Sequence, residues 1–94
     1  MSNTLQELRK EIDAIDEQII LVLARRFKVT HKVGAYKAKY NLPPLDKKRE
    51  DEIFAYKNLL AIKYKLSPLL IEKIFKLIIS EVRKNHRYEK SKNK

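Results

Sequence analysis

Residues 5–40 read LQELRKEIDAIDEQIILVLARRFKVTHKVGAYKAKY. Apolar side chains recur in this stretch in steps of three and four, which is the spacing of one face of a long helix. We call this face the apolar seam; it consists of Leu5, Leu8, Ile12, Ile15, Ile19, Val22, Val29, Val33, Tyr36 and Tyr40. The pattern predicts a helix from about Thr4 to Tyr40, and Thr4 with Glu7 is typical of a capping box at its start.

The seam contains one charged position, because Arg26 stands between Val22 and Val29. An unpaired charge is costly to bury, so an arginine at this position predicts an anionic partner. Lys37 follows eleven residues later, which is three helical turns plus about 20° and about 16 Å along the axis. Two long cationic side chains on one face therefore predict a site for a small anion between them.

A second copy of the chain is predicted to cover the seam. A helix of about 36 residues is about 54 Å long, whereas a compact chain of this length has a radius of gyration near 12–13 Å. Arg9 lies seventeen residues before Arg26, so it is about 25 Å away and about 100° round the helix. It cannot reach the same site in its own chain, but an antiparallel partner would bring its own Arg9 there.

The rest of the chain predicts two shorter helices and no strand. Asn41 to Leu45 contains two prolines and forms a loop, and Asp46 is a suitable cap for a helix that runs to about Lys63. Ser67 and Pro68 start a third helix, which is expected to end near Arg87. The inward side chains of these two helices are predicted to be Ile53, Phe54, Leu60, Ala61, Ile71, Ile74, Phe75, Ile78, Ile79 and Val82. We expect one all-α domain over residues 1–87 and a basic, disordered tail over 88–94.

Composition restricts the partners of this chain. A formal charge of +10 suits nucleic acid, a membrane surface or an anionic metabolite, although a general bias toward lysine explains it equally well. The absence of cysteine excludes disulfides and thiolate metal sites. No signal peptide or membrane-length apolar run is present, so a free-standing cytoplasmic protein without a membrane partner is expected. A basic helical module that binds nucleic acid or a partner protein is the alternative from another class. It is disfavoured because Arg26 lies on the seam, where a phosphate backbone has poor access.

Two further groups of residues are candidate site residues. Asp46, Arg49 and Glu50 lie in the first turn of the second helix, and Val82 and His86 are four residues apart on the third. Each has a simpler interpretation: Asp46 as a helix cap, and His86 as a partner of the helix dipole.

Five segments together resemble the all-helical class of chorismate mutases over about residues 5–86. They are LRKEIDAID at 8–16, LARR at 23–26, VGAYK at 33–37, DKKRE at 46–50 and IFKLII at 74–79. The resemblance implies an intertwined homodimer of three-helix chains, one helix long and two shorter. It also implies the rearrangement of chorismate to prephenate in phenylalanine and tyrosine biosynthesis, with no cofactor and no metal.

The resemblance assigns roles to individual residues. Arg26 and Arg9 from the other chain match arginines that bind the two carboxylates of chorismate. Lys37 matches the lysine that donates to the ether oxygen, and Glu50 matches the acid that accepts from the substrate hydroxyl. Asp46 matches an aspartate that closes over the same hydroxyl.

The remaining matches are less regular. Arg49 corresponds to an arginine at the edge of the site. The family often has a small polar residue where Val82 stands, and it usually has glutamine or glutamate where His86 stands. We expect His86 to act as the second catalytic donor to the ether oxygen, which would make activity pH-sensitive between about pH 5.5 and 7.5. Val82 keeps two related activities open: an isochorismate pyruvate-lyase and a rearrangement of an aminated chorismate.

Overall fold

The chain folds into three helices. A computed structural model describes residues 4–43 and 46–92, with side chains described as far as Asn85. The elements are α1 (Leu5–Lys39), α2 (Lys47–Lys63) and α3 (Pro68–Lys92). No strand occurs in the described ranges, so the prediction of an all-α chain with one long and two shorter helices is confirmed.

Each helix begins where the sequence predicts, because each start has its own side-chain cap. Thr4 Oγ1 accepts from the amide of Glu7 at 3.2 Å, and the amide of Thr4 donates back to Glu7 Oε2 at 3.1 Å. Asp46 Oδ1 accepts from the amide of Arg49 at 3.1 Å. Ser67 Oγ accepts from the amide three residues later at 3.3 Å. These bonds satisfy amide groups that the helix itself leaves unpaired.

The end predicted for α3 was wrong by five residues, since the helix continues from Arg87 to Lys92. Residues 88–92 read YEKSK and contain neither glycine nor proline, so nothing in their backbone chemistry stops a helix. The disordered tail predicted over residues 88–94 stays a prediction, and residues 93–94 lie outside the described part. The division of the chain at residue 87 stays a prediction.

Helix α3 packs against both α1 and α2. Lys57 contacts Phe75 while Glu50 contacts Arg83, so α2 and α3 run antiparallel. The predicted inward side chains of both helices are half-buried, and Ala61 is 2% exposed. Ile74 is the exception, with 41% of its surface exposed in the single chain.

The apolar seam of α1 is not covered within one chain. Its ten members are between 41% and 63% exposed, including Ile12 at 55% and Val29 at 57%. The accessible surface of the chain is 8550 Å², about half as much again as the roughly 5,700 Å² expected for a compact protein of this mass. The radius of gyration is 17.3 Å, against about 12 Å for a compact chain. No described helix is long and apolar enough to cross a membrane.

Candidate active site

Arg26 is the cation that the sequence predicts on the seam. Its side chain is half-buried, and its Nη1 atom is buried without a hydrogen-bond partner in the described part of the chain. Its Cζ atom lies 5.7 Å from the centroid of the Phe75 ring on α3. Burial lowers the pKa of the guanidinium from its ordinary value, because desolvation disfavours the charged form. A buried donor without an acceptor is costly, so this position favours an anion.

Lys57 lies beside Arg26, and it is not among the site residues predicted from the sequence. Its Nζ atom is 4.3 Å from the centroid of the Phe75 ring. The pKa of Lys57 is lowered, first by burial and then by the positive charges of Arg26 and Arg49. A signal for it existed, since Lys57 falls at helical spacing between the inward-facing Phe54 and Ala61.

Glu50 forms an ion pair with Arg83, which connects the start of α2 to α3. The Glu50 side chain is 27% exposed and that of Arg83 is 50% exposed. Arg83 was also missed, and no local pattern indicates it, because the two residues are 33 positions apart in the chain. The ion pair orients the carboxylate of Glu50.

The other members of the first turn of α2 are more exposed. Asp46 caps the helix, as the simpler interpretation predicts, through its bond to the amide of Arg49. The guanidinium of Arg49 lies 3.9 Å from the carboxylate of Glu52, and its side chain is 67% exposed. Arg49 nevertheless contributes positive charge at Lys57.

The remaining predicted residues are spread over α1 and α3. Lys37 is half-buried in the last turn of α1 and Val82 is half-buried on α3. His86 lies in α3, and its side chain is outside the described part. Arg9 is exposed on α1, and helix geometry keeps it about 25 Å from Arg26 of the same chain.

One chain thus brings together Arg26, Lys57, Arg49 and Phe75, with Glu50 and Arg83 at the neighbouring end of the α2–α3 contact. The group carries more cationic than anionic side chains, which suits an anionic substrate. Within the described residues, no cluster of three or more histidine, aspartate or glutamate side chains has the geometry of a metal site.

Comparison with known proteins identifies the family. The model of the chorismate mutase type II family matches residues 8–87, a range that contains all eight predicted site residues. The chain belongs to the chorismate mutase type II family.

Three relatives of this chorismate mutase family member show how the match is distributed. A bifunctional chorismate mutase/prephenate dehydratase of Aquifex aeolicus is 52% identical over 50 residues, covering 53% of this chain and 14% of the relative. The T-protein of Haemophilus influenzae is 32% identical over 77 residues, covering 82% of this chain and 20% of the relative. A bifunctional chorismate mutase/prephenate dehydratase of Buchnera aphidicola subsp. Schizaphis graminum is 35% identical over 79 residues, covering 84% of this chain and 20% of the relative. The chain therefore spans a fifth or less of the length of these relatives.

Proposed function

We propose that this chain is a chorismate mutase, an isomerase that rearranges chorismate to prephenate in phenylalanine and tyrosine biosynthesis. The observation that carries the proposal is the buried Nη1 atom of Arg26, which has no acceptor in the described chain, in a protein of this family. A substrate carboxylate is an acceptor of the right charge and geometry for that donor.

The rearrangement of chorismate requires only orientation of the substrate and electrostatic stabilisation of the transition state. The ether C–O bond of chorismate breaks while a C–C bond forms, with electron pairs moving round a six-membered ring and no proton or electron exchanged with the protein. Cations that hold both carboxylates select the conformer in which the reacting ends meet. A donor at the ether oxygen stabilises the negative charge that grows there in the transition state more than it stabilises the substrate.

The residues are assigned as follows. Arg26 and Arg9 of a second copy bind the two carboxylates, and Lys37 donates to the ether oxygen. Glu50 accepts from the hydroxyl. His86 is the second donor. It follows Phe75 on α3 by eleven residues, as Lys37 follows Arg26 on α1. Because Arg26 lies at Phe75, His86 would lie near Lys37 in a parallel arrangement of the two helices.

The active form that we propose is an intertwined homodimer. The exposed seam supports it, because the single chain exposes 8550 Å², roughly 2,900 Å² more than a compact protein of its mass. An obligate dimer interface buries about 2,000–5,000 Å² of mainly apolar surface. A cytoplasmic location stays a prediction from the sequence.

We expect Ile15→Lys to dissociate or unfold the protein. Ile15 is 53% exposed in the single chain, so a lysine there is harmless to a monomer but costs several kcal/mol in a buried seam. Light scattering should give twice the chain mass of 11.2 kDa for the parent protein and for the control Glu17→Lys, which alters a polar position on the same helix. A parent protein of single-chain mass, or an Ile15→Lys dimer, would contradict the proposed assembly.

We expect Arg83→Met to lower kcat/KM for chorismate about threefold to tenfold, because the carboxylate of Glu50 loses the contact that orients it. The pair is partly exposed, so the free energy of unfolding should change by less than about 1 kcal/mol. Lys84→Met, which removes a neighbouring exposed cation, should change neither quantity. Equal effects of the two substitutions on kcat/KM would show that Arg83 does not orient Glu50 for catalysis.

Val82 favours a second candidate, an isochorismate pyruvate-lyase. Val82 is apolar and half-buried, and the mutase family often has a small polar residue at this position, so this departure from the family pattern leaves the lyase open.

Incubation with chorismate and, separately, with isochorismate at pH 6 and pH 8 tests both proposals, with the products separated by chromatography. Prephenate from chorismate is expected, at rates that differ between the two pH values if His86 is a donor. Salicylate and pyruvate from isochorismate alone would replace the mutase with the lyase. Turnover of neither would end both proposals.

A further inference from the structure

The Phe75 ring brings two cations of different helices to one place. Arg26 Cζ and Lys57 Nζ lie 5.7 Å and 4.3 Å from its centroid, which puts the two charged groups at most about 10 Å apart. Both side chains are half-buried. A flexible lysine stem therefore lets the ammonium group approach an anion that Arg26 binds.

The contacts with the ring are not hydrogen bonds. An aromatic ring attracts a cation through its quadrupole, without offering a lone pair to the N–H groups. Arg26 Nη1 accordingly has no acceptor in the described chain. Both charged groups therefore lie at the ring, and Arg26 Nη1 is a donor that a ligand can use.

The positive charge around Lys57 and Arg26 also favours a bound anion. The groups that act on Lys57 are Arg26 and Arg49, both positive, and they lower its pKa together with burial. None of the ion pairs among the described residues joins a carboxylate to Arg26 or Lys57, and the nearby carboxylate of Glu50 is held by Arg83. Two half-buried like charges repel each other, and a bound anion would remove this cost.

We propose that Lys57 is a further substrate-binding residue, which holds the same chorismate carboxylate as Arg26; this rests on the function proposed above. Lys57 completes the carboxylate site from α2, whereas Arg26 reaches it from α1. A carboxylate has two oxygens, each with free acceptor sites, so each cation can donate to a different oxygen.

Lys57→Met tests the proposal, because methionine keeps an unbranched stem over the ring and loses only the charged group. KM for chorismate is expected to rise about tenfold to a hundredfold, the usual cost of a hydrogen bond to a charged group, with kcat changed less than about threefold, since such a bond forms in substrate and transition state alike. Lys57→Arg should recover most of the affinity.

Lys63→Met is the matched control. Lys63 lies on the same helix, and its Nζ atom is 5.4 Å from the centroid of the Tyr64 ring, so the substitution also removes one charge and one contact with a ring. A purely structural role for Lys57 would lower the unfolding temperature of Lys57→Met and leave KM at the Lys63→Met value, and that result would overturn the proposal.

A binding measurement separates this proposal from the proposed function. If the parent protein does not turn over chorismate, calorimetric titration with isophthalate, a stable dicarboxylate, still reports on the anion site. Binding weakened at least tenfold in Lys57→Met and not in Lys63→Met would support an anion site at Lys57 even though the mutase proposal had failed. Equal binding in the two variants, or no binding by the parent protein, would overturn it.

Discussion

Lys37→Ala is expected to lower kcat for chorismate by about a hundredfold to a thousandfold while KM changes much less. Removing one donor that stabilises a developing negative charge has an effect of this size in other enzymes. The loss falls on kcat because the charge on the ether oxygen grows only as the bond breaks. Initial rates of prephenate formation over a range of chorismate concentrations measure both constants.

Lys39→Ala is the control for this substitution. Lys39 is exposed at the end of the same helix, with its Nζ atom 5.4 Å from the centroid of the Tyr40 ring, and its removal changes the net charge equally. A Lys37→Ala enzyme that retains more than about a tenth of the parent kcat would exclude Lys37 as the donor at the ether oxygen.

Mixing two inactive variants, Arg9→Ala and Lys37→Ala, is expected to restore activity. In the proposed dimer each site takes Lys37 from one chain and Arg9 from the other, so a mixed dimer contains one intact site and one that lacks both residues. Refolding the variants together in equal amounts should produce about half mixed dimers and hence about a quarter of the parent activity. That is a rise of well over tenfold above either variant alone.

Each variant refolded by itself is the control, and differently tagged copies show that mixed dimers have formed. Mixed dimers that stay as inactive as the two single variants would mean that Arg9 and Lys37 do not share a site across the interface. The proposed antiparallel placement of the two α1 helices would then be wrong.

The sequence was informative wherever the determining interactions are local. The start of α1 follows from the exchange of hydrogen bonds between Thr4 and Glu7, which spans a single helical turn. Arg26 was identified as the centre of the site because a charge interrupts an otherwise apolar helical spacing. The end of α3 was misjudged because the residues after Arg87 favour a helix and contain no stop signal.

Tertiary structure alone decided which side chains of different helices meet. Arg83 reaches Glu50 across 33 positions, and Arg26 and Lys57 meet at Phe75 although all three lie on different helices. Such contacts depend on how far one helix is shifted and rotated against the next, and the packing of many side chains sets that geometry. The sequence thus determined the helices, their starting caps and the arginine on the apolar seam, whereas packing between helices decided which charges lie beside that arginine.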